Sequence, residues 1–171
     1  MAAARSARPR CGDVVVVAID GTSGAGKTTL AEAVASGLAC PVVHMDDLYP
    51  GWDGLAAGIE LLTRRILAPL ATGRPAHFPV WDWQQNSWGP ERVLEPMPML
   101  VVEGCGSSVH PAGAYAALRV WLDAPRAVRL ARGLARDGET YRPHWERWAA
   151  QEDAIFARDD TRGRAHLAIE T

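Results

Sequence analysis

The sequence predicts an α/β fold in three layers, a central, mostly parallel five-stranded sheet between helices, and two observations lead there. A run rich in β-branched residues at 14–19 is followed by short apolar runs at 42–45, 99–102, 118–122 and 166–169. Between them lie stretches with helical character at 28–38, 59–70, 126–136 and 143–157. Strands alternating with helices imply right-handed crossovers, and hence parallel strands covered on both faces. Ligands in such sheets sit beyond the carboxyl ends of the strands.

The chain has 171 residues, enough for one core and too few for two. Residues 13–171 are read as a single domain and residues 1–12 as a disordered tail, because Arg5, Arg8 and Arg10 stand among alanines with no apolar stretch behind them. The net charge of -2 gives no reason to expect a nucleic-acid partner, which demands concentrated Lys and Arg. No run is long and apolar enough for a membrane span. Cys11, Cys40 and Cys105 are an odd number at wide spacing, which reads as reduced thiols of a cytoplasmic protein.

The first strand, Val14-Val15-Val16-Val17-Ala18-Ile19, has no polar face and suits the middle of a parallel sheet. It runs into Gly21-Thr22-Ser23-Gly24-Ala25-Gly26-Lys27-Thr28, followed by Thr29 and a helix. This fits G-x-x-x-x-G-K-[ST] at every fixed position. Glycines let the backbone curl its N–H groups inward, and the helix adds the positive end of its dipole, so the segment makes a nest for polyphosphate. Lys27 can reach the β and γ phosphates, and the Thr28 hydroxyl can ligate Mg²⁺. ATP and Mg²⁺ are the expected cofactors, and the fold is expected to be that of a P-loop NTPase.

The second strand ends in Asp46-Asp47-Leu48-Tyr49. Asp46 is the candidate base for the proton of an acceptor hydroxyl, although two adjacent acids also suit a solvated turn. A later strand ends in Val101-Val102-Glu103-Gly104, where Glu103 is well placed to serve the metal. His44, inside an apolar strand, reads as a wall or core residue. Between 73 and 98 the chain is punctuated by Gly and Pro and carries Trp81, Trp83 and Trp88. That composition suits an ordered excursion from the sheet better than a linker.

Arg126, Arg129, Arg132 and Arg136 share one predicted helix, and the last three fall within an arc of about 60°. Like charges on one face need an anion opposite them. A solvated face is the plain alternative, and contact with the transferring phosphoryl group is the reading favoured beside a phosphate nest. Residues 138–142 then form a small lid, with Arg142 as a further contact. Trp145, Trp148, Ala149 and Phe156 recur at helical spacing and are expected to pack a terminal helix on the sheet.

Taken together, these residues resemble the uridine kinase family of P-loop nucleoside kinases, in the phosphoribulokinase and uridine kinase group. The resemblance runs from Val14 to about Arg142. Besides the nest, Asp46-Asp47-Leu48-Tyr49 is similar to the family's D-x-F-Y, which implies Asp46 as catalytic base and Tyr49 at the acceptor site. Pro79-Val80-Trp81-Asp82-Trp83 is similar to P-x-Y-D-F, which implies Trp81 and Asp82 near a nucleobase. Val101-Val102-Glu103-Gly104 is similar to V-x-E-G, which implies Glu103 on magnesium. Arg129-Leu130-Ala131-Arg132 with Arg136-Asp137 looks like the lid helix. Asn86 stands where the family carries a base-reading His, and Asp53 is a further candidate for sugar hydroxyls. The resemblance implies an ATP- and Mg²⁺-dependent kinase acting on a small-molecule hydroxyl, nucleoside-like in the first instance. Lys27, Arg129 and Arg132 are then catalytic, and Arg136 sits on the nucleotide. A non-catalytic nucleotide-binding regulatory module and a kinase for another metabolite stay open, as does assembly into a homo-oligomer.

Overall fold

The computed structural model describes residues 1–171, apart from the side chain of Thr140. β1 (Val15–Gly21) is buried along its whole length, as a strand with no polar face must be. It forms parallel ladders with β5 (Met99–Glu103) on one side and β6 (Ala116–Asp123) on the other. Outside these lie β2 (Val42–His44), parallel to β5, and β7 (Leu167–Glu170), parallel to β6. The order is β2-β5-β1-β6-β7, a five-stranded sheet in which every pairing is parallel.

Because neighbouring residues on a strand face opposite ways, β1 feeds two cores. Val16 joins Leu100, Val102 and Trp121 on one face, which is covered by Leu62, Ile66 and Leu70 and by Trp148 and Phe156. The first group comes from a continuous helical stretch: α3 (Leu55–Leu61), a π-helical segment (Leu62–Leu67) and α4 (Ala68–Ala71). The second comes from α6 (Arg142–Asp159). On the other face Val17 and Ile19 pack with Ala31, Ala35 and Leu38 of α2 (Lys27–Leu38). Each such valine, leucine or isoleucine side chain taken from water stabilises the fold by about 1.5–3 kcal/mol before entropy is counted.

The excursion between 73 and 98 is an antiparallel hairpin, β3 (Ala76–Asp82) and β4 (Ser87–Leu94). α5 (Arg126–Asp137) follows β6 and is joined to α6 by a short 3-10 turn over Gly138–Thr140.

The expectation of a disordered tail over residues 1–12 is not met. α1 (Ala2–Ser6) buries Ala4, and Arg5 donates to the Gly37 carbonyl at 2.7 Å, capping the end of α2. Cys11 is fully buried and donates to the Leu67 carbonyl at 3.2 Å; burial pushes this thiol up to about 11. Composition misses these contacts because all of them are made to distant parts of the chain. The three cysteines are free thiols, and among the described residues no helix is long and apolar enough to cross a membrane.

Candidate functional site

Parallel strands deliver their carboxyl ends to one side of the sheet, and here three adjacent strands do so. Register sets Ile19 beside Glu103, and Glu103 beside His44. The loop after β1, the acid that ends β5 and the acids after β2 therefore meet at one edge. They open on a cleft of about 1230 Å³ whose lining includes Lys27, Thr28, Asp46 and Glu103, larger than the usual pocket for one small ligand.

The loop 21–28 is held as a curl by its glycines. A Cβ at Gly21 would overlap the Leu122 carbonyl oxygen on β6, and one at Gly24 would overlap that of Arg129 on α5. Both residues have positive φ, 138° and 81°, so glycine is required for space and conformation alike. α2 begins at Lys27, which leaves its first N–H groups without intrahelical acceptors and turned toward the loop. Gly24, Gly26, Thr28 and Thr29 line the cleft, whereas Thr22 and Ala25 are buried beneath it. Thr22 is bonded to Asp123 at 3.0 Å. Gly21 closes β1, its N–H bonded to the Asp20 carboxylate at 2.7 Å.

Lys27 is 7% exposed. Its ammonium donates to the Thr22 carbonyl at 2.9 Å and to the Cys105 sulfur at 3.4 Å. Burial alone would depress its pKa, but Cys105, Glu152, Glu103 and Asp20 outweigh that and raise it. A fixed positive charge therefore sits at the floor of the cleft.

The Thr28 hydroxyl lies 3.3 Å from Glu103 Oε1, and the same oxygen meets His44 Nδ1 at 2.7 Å. Hydroxyl and carboxylate are hard oxygen donors of the kind Mg²⁺ takes. Among the described residues no three His, Cys, Asp or Glu side chains group to hold a metal. An ion here would draw its remaining ligands from phosphates and water, as Mg²⁺ commonly does. His44, read from sequence as a wall residue, is paired with Glu103, and that contact raises its pKa despite partial burial. The cause is the β2–β5 register, which a single strand cannot reveal.

Asp46 follows β2 on a 3-10 turn (Met45–Asp47). It is exposed to the cleft yet surrounded by protein, so desolvation raises its pKa, with Arg136 pulling the other way. Its carbonyl accepts from Trp83 Nε1 at 2.9 Å, and Asp47 pairs with Arg92 at 2.6 Å. These two bonds dock the hairpin over the β2 end.

The arginine stripe divides along the axis of α5. Arg132 and Arg136 line the cleft. Arg129, expected with them, is 9% exposed and lies behind the loop, bonded to the Ala124 carbonyl at 3.0 Å and 3.9 Å from Glu152. With a rise of 1.5 Å per residue, Arg136 stands roughly 10 Å farther along the helix than Arg129. Sharing an arc does not mean sharing a neighbour.

The expected acceptor residues also divide. Tyr49 is fully buried and forms part of the wall, its hydroxyl spent on the Cys105 carbonyl at 2.7 Å. Trp81 packs edge-on to Trp88 across the hairpin, and Asp82 accepts from the N–H groups of Gln84 and Gln85, closing the turn. Asn86 takes positive φ, 49°, within that turn, a conformation Asn tolerates. Asp53 pairs with Arg147, and Arg142 with Glu139. None of Trp81, Asp82, Asn86, Asp53 or Arg142 is on the cleft lining.

Trp52, Trp83, Gln84, Tyr141, His144 and Trp148 do line the cleft, together with Asp46, and form an aromatic wall. Trp52 is its centre, stacked on His144 at 4.6 Å and 10° and set against Trp83 at 5.0 Å and Tyr141 at 5.6 Å. Trp83 stands two residues from Trp81 in the same tryptophan-rich run, which was the available signal. Trp52 and His144 carry no motif and are joined only by the fold.

No family model matches the chain, and no curated protein matches it. Solved structures do. A possible uridine kinase from Bacillus stearothermophilus shares 23% identity over 91% of this chain and 88% of that one, with a TM-score of 0.67. A candidate fructose transport system kinase from Silicibacter sp. TM1040 shares 18% over 91% and 89%, with a TM-score of 0.55. Shikimate kinase from Acinetobacter baumannii, in complex with shikimate, shares 17% over 92% and 84%, with a TM-score of 0.51. At these identities the likeness is one of fold, a three-layer α/β arrangement around a parallel central sheet.

Proposed function

We propose that this protein is an ATP- and Mg²⁺-dependent phosphotransferase that moves the γ-phosphoryl group to a hydroxyl of a small molecule carrying a flat ring, a nucleoside in the first instance. The observation that carries this reading is that Asp46, Lys27 and an aromatic wall open on one cleft. A nucleotide-binding switch needs the loop but has no use for a carboxylate and an indole-rich wall beyond it.

The loop 21–28 and the start of α2 grip the triphosphate. Thr28 and Glu103 are the residues that would hold Mg²⁺, which when bound neutralises phosphate charge. Asp46 accepts the proton of the acceptor hydroxyl as its oxygen bonds to the γ phosphorus and the bond to the β–γ bridging oxygen breaks, releasing ADP. Lys27, Arg132 and Arg136 oppose the charge spread over the transferring group. Trp52, Trp83 and His144 stack on the acceptor ring and exclude water. Arg129 serves as a clamp behind the loop.

The test is acceptor-stimulated ADP release with ATP and Mg²⁺ across nucleosides, nucleotides, sugars and pantothenate. Turnover on a nucleoside, lost in Asp46→Asn, is the expected result. Turnover with sugars or pantothenate alone would overturn the ring-bearing acceptor, and MgATP binding with no acceptor-stimulated turnover would overturn the kinase.

A further inference from the structure

All the polar groups of Ser23, the third residue of the phosphate loop, are taken up by α5, α6 and the turn between them. Its N–H donates to Glu152 Oε1 at 2.7 Å, its carbonyl accepts from Arg129 at 3.4 Å, and its hydroxyl meets that of Tyr141 at 2.7 Å. Glu152 is the centre of this clamp. It is 1% exposed, and its Oε1 also accepts from Trp148 Nε1 at 2.9 Å and from the Cys105 thiol at 3.0 Å. The Cys105 sulfur in turn accepts from Lys27 Nζ. One buried oxygen thus reaches two points of the loop, Ser23 directly and Lys27 through a thiol.

A carboxylate in this position is costly unless paired and hydrogen-bonded. Anchoring α6 to the sheet does not need one, since Trp148, Ile155 and Phe156 on the same helix pack in the core. What an apolar residue cannot supply is an acceptor for an N–H of the loop, for the bridging thiol, and for the Trp148 indole. The backbone curl that cups polyphosphate is flexible at its glycines, and held in one geometry it binds without losing that freedom.

We propose that Glu152 is a positioning residue for triphosphate binding, fixing the loop at Ser23 and, through the Cys105 thiol, at Lys27. The proposal rests on the reading of residues 21–28 as a nucleotide cradle. Glutamine keeps the accepting oxygen and alanine does not, so the two variants separate positioning from bulk stability.

The experiment is calorimetric titration of the full chain with MgATP, comparing wild type, Glu152→Ala, Glu152→Gln and Cys105→Ala, each below its own melting temperature. Expected are at least a tenfold loss of affinity for Glu152→Ala, recovery to within threefold of wild type for Glu152→Gln, and at least a threefold loss for Cys105→Ala. Wild-type binding with Glu152→Ala within twofold of it, or Glu152→Gln as weak as Glu152→Ala, overturns the proposal alone. A wild-type chain that binds no MgATP removes the nucleotide reading and the proposal with it. Should Glu152→Ala fail to fold, unchanged affinity in Cys105→Ala overturns the link to Lys27, and a large loss in Glu152→Gln overturns the role of the oxygen.

Discussion

Tyr141 and Ser23 meet hydroxyl to hydroxyl at 2.7 Å, tying the turn between α5 and α6 to the phosphate loop. The tyrosine ring lies against Gly133 of α5, where a Cβ would overlap it, so Phe can occupy the same space. Tyr141→Phe should cost about 0.5–1.5 kcal/mol, one net hydrogen bond, read as a lower urea midpoint. Burial pushes the phenol up to about 12, so it stays protonated through neutrality. The loss should be equal at pH 6 and pH 9, and an effect that vanishes at pH 9 would contradict the buried bond.

Asp46→Asn should leave MgATP affinity within a few fold of wild type and reduce phosphoryl transfer roughly 10²- to 10⁴-fold. Only the ionised carboxylate accepts a proton, and desolvation raises its pKa. As pH falls, wild-type kcat should therefore decline at a higher pH than an ordinary aspartate would give. Arg136 works against that shift, so Arg136→Gln should move the acid limb further up in pH. An acid limb left in place by Arg136→Gln, or transfer unchanged in Asp46→Asn, would remove Asp46 as base.

Glu103→Gln weakens one of the two oxygen donors that face each other across 3.3 Å. The Mg²⁺ concentration for half-maximal turnover should rise at least about tenfold, with a smaller rise for His44→Ala, which frees the carboxylate from its orienting partner. A fall in kcat at an unchanged Mg²⁺ requirement would place Glu103 elsewhere in the chemistry.

Asp159, at the end of α6, accepts from the Thr161 hydroxyl at 2.7 Å and the His110 N–H at 3.0 Å and pairs with Arg164. Burial alone would raise its pKa, but these partners outweigh it and hold the carboxyl below its usual range. A depressed folded-state pKa stabilises fully above the unfolded value, about 3.9, and that stability is lost as pH falls through the folded value. The melting temperature of wild type should exceed that of Asp159→Asn at pH 6, and the gap should begin to narrow only as the pH falls below the unfolded value. A gap independent of pH would assign the effect to packing.

The sequence by itself determined the layers, the five strands of the sheet and the glycine loop at 21–28, because those are written in local chemistry. An unbroken β-branched run must be buried on both faces, and a curl of glycines before a helix can cup anions whatever surrounds it. The acids at 46 and 103 were legible for the same reason, each standing where a strand ends. Tertiary structure alone decided which neighbours those groups have. His44 meets Glu103 through strand register, and Arg129 parts from Arg132 and Arg136 through its height on α5. Glu152 gave a faint sign, an acid four residues after Trp148 and four before Phe156 on the apolar face of a helix. The aromatic wall was hidden for a further reason. Trp52, Trp83 and His144 come from three segments far apart in the chain, and aromatic side chains at such separations acquire a common purpose only once the fold has brought them into contact.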